Sequence, residues 1–497
     1  MKLKRWLYLC HRWLGIGLCL LFAMWFFTGV VMMYVHFPQL TEEERLAALP
    51  ALDPGQLQIP VTPLLDAAPA GAEIRALRLT SVLGRPAYLL RTGDGAQYGL
   101  FADDGALFAA FSAADALRAA AIHQRAFAGG GPGEPRYLGL VDMDQWSLSR
   151  SLHHHRPLHH VALDDVAGTR LYISSRTGEV VRDTDTRERV WNWLGANLHW
   201  IYPLVLRRHG ELWHQVVVVL SLLGLASLVT GAVIGVLRLR IRNPYRGSDV
   251  TPYRGMMKLH HLLGLGCLLF LATFMFSGLM SMNPWGVFTP QRPFTQVQED
   301  YRGAPRARSV LPGSSPADLR TALARYPDTR EIVWQWLAGE PHLVLVAAPY
   351  QRRVVLADGR EPDALVQRAR ARLETVMADA EVTSAALIER YDAYYYSHHQ
   401  RWRPLPVLRV VFNDAERSWF HIDPATGELL NGLTTRGRVQ RWLYNGMHSL
   451  DFTFLIQRRP LWDVVVIALS VLGLVFSVTS VHIGIRRLRH DKRRRSR

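Results

Sequence analysis

The chain has 497 residues, 49% hydrophobic and 20% charged, which excludes a disordered polymer. Its 58 Lys+Arg against 42 Asp+Glu give a formal charge of +16, but the excess is confined to residues 1–12, 238–258 and 486–497, so it is not the spread basic surface of a nucleic-acid binder. The three cysteines, Cys10, Cys19 and Cys267, lie in or beside apolar stretches; this excludes a disulfide scaffold and a cysteine-ligated zinc or iron–sulfur centre.

An apolar window at Trp13–Val35 follows the first basic segment. It is longer than a signal-peptide core and no small-x-small site follows, so residues 1–37 read as an uncleaved anchor. Residues 38–211 are polar, with period-2 stretches at Ala87–Thr92, Tyr98–Phe101 and Arg170–Ser174 that predict strands, the last entering a turn at Arg176-Thr177-Gly178. Ala51–Pro69 and Gly129–Pro135 read as loops. A second window, Leu212–Leu237, leads to the basic loop 238–258 and a third window, Leu259–Met282. Residues 283–460 repeat the polar pattern: strands at Leu343–Ala347, Val354–Leu356 and Ser418–Ile422, a helix at Pro362–Met377 and a loop at Gly303–Pro316. The fourth window, Leu461–Ile485, precedes the basic tail 486–497. Each window can cross a bilayer, which needs about 20 residues. The positive-inside rule puts both termini and the 238–258 loop in the cytoplasm and the two long segments outside.

The two halves repeat. An offset of 249 carries His11 to His260, Gly15 to Gly264, Gly17 to Gly266 and Thr177-Gly178-Glu179 to Thr426-Gly427-Glu428. It also carries Trp193 to Trp442, His199 to His448, Trp213 to Trp462 and Thr230 to Thr479. The expected fold is therefore an α+β integral membrane protein with four transmembrane helices from a tandem duplication, span–outer domain–span twice. Equivalent residues are expected to face each other across a pseudo-two-fold axis along the membrane normal.

Histidines stand at repeat-equivalent places. His11 and His260-His261 begin the pattern His-x-x-Leu-Gly-x-Gly near the cytoplasmic ends of spans one and three. Imidazole at that depth faces a bundle interior or a cofactor, and glycines one turn away let a bulky group lie against the backbone. His199 and His448 come after Trp191-Asn192-Trp193-Leu194 and Trp442-Leu443-Tyr444, segments of interfacial character. Two imidazoles from opposing helices can hold b-type haem iron, so one pair at each face would make two stacked haems. For any one of these histidines, an interfacial anchor is the plain alternative. His482 has no repeat partner, since Val233 occupies its equivalent, and is either an extra ligand or a buried donor. His214 stands opposite Asp463 in the repeat register.

The tract His153-His154-His155-Arg156-Pro157-Leu158-His159-His160, loosely matched by His398-His399, is a metal-binding or a solvated loop. Tyr394-Tyr395-Tyr396, matched by Trp146, lines a cleft or forms module core. The Arg-rich tail is expected to meet lipid headgroups. No nucleotide- or phosphate-binding motif occurs, so electrons would have to come from a separate donor.

His11-Arg12-Trp13-Leu14-Gly15, Thr-Gly-Glu after each strand pair, Asn197-Leu198-His199-Trp200 and Met447-His448-Ser449-Leu450-Asp451 together resemble the PepSY-associated transmembrane family over nearly the full chain. Asp144-Gln145-Trp146, Arg403-Pro404-Leu405-Pro406 and Ser281-Met282-Asn283-Pro284-Trp285-Gly286 add to the resemblance. The family includes bacterial inner-membrane reductases with two b-type haems that reduce ferric siderophores in the periplasm. The resemblance implies PepSY-like periplasmic modules, two haem b groups, a ferric siderophore or other Fe(III) chelate as substrate, and a flavoprotein, flavin or quinol as donor. It carries haem ligation to His11, His260, His199 and His448, with His261 and His482 as further cofactor-binding candidates. The rival expectations are a non-redox periplasmic binding or regulatory protein and a permease; the absence of any visible helix break counts against the permease.

Overall fold

The computed structural model describes residues 2–127, 133–247, 249–303, 305, 311, 313–356, 361–397 and 402–495. It divides into a helical unit, Met1–Phe37, Val190–Thr289 and Arg436–Arg497, and a sheet unit, Pro38–Arg189 and Pro290–Thr435.

Among the described residues of the helical unit three helices are long and apolar enough to cross a membrane: Lys2–Met32, Gly210–Arg238 and the Leu461–Arg489 part of Leu461–Arg495. The third expected span is not one helix. Met256–Gly266 and Leu268–Ser281 meet at Cys267 with a bend of 69°, so the unit has four spans only if this pair counts as one. The expectation of an unbroken Leu259–Met282 helix, and with it the absence of a helix break, is thereby corrected. Gly264 and Gly266 weaken the helix at the break. Gly15 and Gly17 occupy the same places in Lys2–Met32, which runs through them unbroken, so glycine permits the bend without compelling it. Large apolar side chains such as Leu20, Val229 and Val471 are exposed on these helices, the surface that a bilayer would cover.

Among the described residues the sheet unit holds fourteen strands: β1 (Ile74–Val82), β2 (Arg85–Thr92), β3 (Gln97–Phe101), β4 (Arg136–Val141), β5 (Leu158–Ala162), β6 (Arg170–Ser174), β7 (Val180–Thr184), β8 (Glu331–Leu337), β9 (Glu340–Ala348), β10 (Gln351–Val355), β11 (Val382–Ile388), β12 (Val407–Phe412), β13 (Trp419–Ile422) and β14 (Leu429–Leu433). Two four-stranded antiparallel sheets run β4-β5-β6-β7 and β11-β12-β13-β14. A six-stranded sheet, β10-β9-β8-β1-β2-β3, takes one three-stranded meander from each half and joins them through antiparallel β1 and β8. The hairpins β1–β2 and β8–β9 turn on Leu83-Gly84 and Ala338-Gly339, all four residues at positive φ, the two-residue turn that matches strand twist. From β5 and β12 onward the elements of the halves recur at the 249-residue offset.

Alternation divides the six-stranded sheet into two chemistries. Leu77, Leu79, Ile332 and Trp334 enter an apolar core with Leu64, Leu319 and Leu323. The alternate residues Arg78, Arg91, Glu331 and Gln335 are polar and share the other face. A second core joins Val344 and Val346 to Val410, Phe412 and Ile422 around Tyr301.

Candidate functional site

Four of the histidines singled out from the sequence meet as two pairs in the helical unit. His11 and His260 have ring centroids 6.4 Å apart. His199 and His448 have ring centroids 6.0 Å apart. Each of the latter lies two residues beyond a five-residue π turn, Trp193–Asn197 or Trp442–Gly446. Such turns interrupt the helical register and re-aim the side chains beyond them. The indole N–H of Trp25 donates to the His199 carbonyl at 2.8 Å, and those of Trp213 and Trp462 to the carbonyls of Trp200 and Ser449, both at 2.9 Å.

In all four rings Nδ1 is the hydrogen-bonded nitrogen. The His11 Nδ1 is 3.0 Å from the Ser227 carbonyl, which can only accept, so Nδ1 is the donor. The His199 Nδ1 is 3.0 Å from the Thr28 hydroxyl, whose own proton goes to the Met24 carbonyl at 2.7 Å. The His448 Nδ1 is 3.0 Å from the Ser277 hydroxyl, which donates to the Phe274 carbonyl at 3.0 Å. The His260 Nδ1 is 3.1 Å from the Thr479 hydroxyl, which donates to the Phe476 carbonyl at 2.6 Å. With its proton on that carbonyl, each hydroxyl accepts from Nδ1; Ser480 offers His260 a second hydroxyl at 3.3 Å. His11 is thus an Nδ1–H tautomer, this arrangement makes the other three the same, and among the described residues no Nε2 of the four has a hydrogen-bond partner.

A neutral imidazole whose Nδ1–H is held by a carbonyl or hydroxyl is a prepared metal ligand. A metal ion held between two Nε2 atoms, at about 2 Å from each, puts the ring centres about 6 Å apart, which is the separation found in both pairs. The rings are inclined at 37° and 71°, and rotation about a nitrogen–metal axis leaves either angle compatible with coordination. Among the described residues no group of three or more His, Cys, Asp or Glu could hold a metal ion; each pair offers two imidazoles. A Cβ added at Gly15, Gly17 or Gly266 would meet nothing within 4 Å, whereas one at Gly264 would meet Phe476 at 3.0 Å. Three of the four motif glycines thus border open space, Gly17 and Gly266 on the exposed surface of their helices. Along Lys2–Met32, His11 and Thr28 are separated by about 25 Å of helix rise. Phe26 lies 6.4 and 6.1 Å from Phe270 and Phe274, and Phe274 is 6.0 Å from the His448 ring.

Other candidates lie apart from the pairs. His261 uses both nitrogens: Nε2 donates to the Gly235 carbonyl at 2.9 Å and Nδ1 accepts from the Thr251 hydroxyl at 2.7 Å. It has no lone pair to give. His482 is exposed on its helix, so it is not the buried donor that the sequence allowed. His214 bonds to the Met282 carbonyl at 2.9 Å, while Asp463 takes Tyr34 and Arg459, both at 3.2 Å, so the two do not act as a pair. In the sheet unit, His159 is held by Tyr137 at 3.0 Å and the Phe111 carbonyl at 2.8 Å. His160 stacks on Tyr172 at 4.6 Å, so the tract is dispersed over a turn and a strand. Tyr395 is fully buried over His421 and donates to the Pro404 carbonyl at 2.9 Å, which makes it module core. His398 and His399 lie outside the described residues. Sequence reasoning missed Thr28, Ser277 and Ser227, though Thr28 and Ser277 are themselves 249 residues apart.

The family model described as PepSY-associated TM region matches residues 8–339. No curated protein matches the chain.

Proposed function

This chain belongs to the PepSY-associated transmembrane family, and from that premise we propose that it is a haem-dependent electron-transfer protein of the bacterial inner membrane that reduces ferric chelates in the periplasm. The single observation that carries the reading is the two imidazole pairs, 6.4 and 6.0 Å between ring centres, with four bare Nε2 atoms. Two opposed imidazoles are the number of ligands that a porphyrin leaves open on its iron. His11 with His260 would hold one haem b and His199 with His448 the other. When bound, such a haem supplies one-electron Fe(III)/Fe(II) chemistry.

The chain's own residues then have definite work. Ser227, Thr479, Thr28 and Ser277 orient each ring and hold it in the ligating tautomer. Gly15, Gly17 and Gly266 leave room beside the backbone. Phe26, Phe270 and Phe274 exclude water between the pairs. In this reading the bent helix pair is the third of four spans, the two halves are duplicated units, both termini are cytoplasmic and the sheet unit is periplasmic. The substrate is a ferric siderophore or another Fe(III) chelate, and a flavoprotein, flavin or quinol supplies electrons. Reduction loosens a hard-oxygen chelate because Fe(II) is the poorer partner for such ligands.

The test is the reduced-minus-oxidised optical spectrum of the purified full chain with haem supplied, with haem counted per chain. A b-type signal of two haems is expected, lost stepwise in His11→Ala and His199→Ala. No b-type signal refutes the reading and leaves a non-redox binding protein.

A further inference from the structure

The polar face of the six-stranded sheet is covered. Helix Phe294–Arg302 and the start of β14 close over it, tied by Tyr301 Oη donating to the Gly427 carbonyl at 2.7 Å and Gln298 Nε2 donating to the Leu429 carbonyl at 2.9 Å. Beneath them is a cavity of about 380 Å³, the size range of small-molecule sites. Four arginines line it, among them Arg91, Arg302 and Arg352, with Glu42, Glu331 and Glu428.

The carboxylates are already used. Glu331 is bound by Arg45 at 2.8 Å and Arg78 at 2.9 Å, and Arg352 takes Glu42 at 2.7 Å and Glu428 at 3.6 Å. Burial alone would raise the Glu331 pKa, but Arg78 and Arg45 overcome it and hold the carboxyl at about 2. Arg91 and Arg302 are left with no carboxylate in ion-pair distance among the described residues. The polar contact of Arg91 is His154 Nε2 at 3.3 Å, which brings no negative charge. The Nε atoms of Arg91 and Arg352 are buried without an acceptor. Burial, then the cations Arg75, Arg78 and Arg302, pull the Arg91 pKa below its ordinary value. Both guanidinium groups are half-buried; Glu428 and Glu299 act on Arg302 from beyond ion-pair distance, so the unmet need is for acceptors within hydrogen-bond reach, above all at Arg91.

We propose that this cavity is a binding site for a small organic anion with two or more carboxylates, held by Arg91 and Arg302. Planar guanidinium forks match carboxylate oxygens two at a time. Identifying that anion with the chelate that carries ferric iron rests on the function proposed above; the anion site itself does not.

The experiment is isothermal titration of the detergent-solubilised full chain with citrate and with gallium(III) citrate, whose metal cannot be reduced under these conditions. Binding that weakens as salt rises is expected, with Arg91→Gln and Arg302→Gln each losing about ten- to a hundredfold in affinity. Arg91→Lys should recover part of the loss, since it restores the charge without the fork. Melting temperature and optical spectrum should be unchanged in the variants, which separates a lost site from a lost fold. No binding of either probe at millimolar concentration, or undiminished binding in both glutamine variants, overturns the proposal. A missing haem spectrum leaves these titrations untouched, so the two proposals fail separately.

Discussion

Thr28→Val tests the role given to the His199–His448 pair most sharply. Thr28 is fully buried and its hydroxyl accepts from His199 Nδ1 at 3.0 Å while donating to Met24. Valine keeps the shape and removes the acceptor. The buried Nδ1–H then has no partner, a cost of about 1–3 kcal/mol. The ring also loses the constraint that keeps Nε2 bare, and lost support of this kind weakens metal binding roughly 10- to 100-fold. Ser277→Ala removes the same support from His448, and because the two act on one site the double variant should lose that haem altogether. The assay is haem titration of the purified variants by absorbance, with the midpoint potential of each haem. One of two haems should weaken and shift in potential while the His11–His260 haem stays as it was. Two haems of undiminished affinity and unchanged potential in the double variant would refute the argument that these hydroxyls prepare the ligands.

Gly231→Ala should remove the other haem, because its Cβ would lie 2.5 Å from His11 Cε1 and 3.0 Å from Nδ1; Gly29→Ala, whose Cβ would sit 3.5 Å from His199 Cε1, should be tolerated, and haem counts per chain compare the two. Asp183→Asn should stabilise the sheet unit at pH 8 by up to about 4 kcal/mol and not at pH 4. Burial first, then Glu44 and Glu188, push the Asp183 carboxyl up to about 7, so the folded state keeps a proton that the unfolded state has lost and native stability falls as pH rises from about 4 to 7; thermal melts across that range check it. His342, lowered to about 4 by burial against the pull of the Thr426 carbonyl, and His123, lowered to about 4 mainly by burial, act in the opposite sense. The unfolded state takes up those protons first, so stability should fall as pH drops below about 6.5 towards 4, and His123→Leu should flatten that part of the melting profile.

The membrane segments were legible because about twenty apolar residues flanked by bases have few other physical meanings. The histidine pairs were legible through the offset, helped at His11 and His260 by the shared His-x-x-Leu-Gly-x-Gly motif, whereas His199 and His448 were matched by the offset and the tryptophan-bearing segments before them. The bend at Cys267 was not, because Gly15 and Gly17 sit in the same motif without producing one. The tautomer-setting hydroxyls were hidden for a different reason: Thr28 and Ser277 are ordinary residues in an apolar helix until a ring nitrogen arrives from 171 residues away. Strands β2, β3, β6, β9 and β13 were readable from alternation, whereas the joining of β1 to β8 depends on a long-range contact that period-2 patterning does not encode. The Thr-Gly-Glu turns served only as repeat markers in the sequence. Folded, Glu179 binds Arg78 at 2.5 Å and Glu428 reaches Arg352 at 3.6 Å, so each turn feeds a carboxylate to the same polar sheet face.

The seam between β1 and β8 has a consequence for how such a chain can be cut. A polypeptide ending after its first half would present the backbone amides and carbonyls of β1 along an open edge, with Leu77 and Leu79 beside it. An edge of that kind recruits another strand. The geometry that closes it is antiparallel, so a second identical half would suffice, related by a dyad through the sheet. Severed halves should accordingly find one another again, and neither should be well behaved alone.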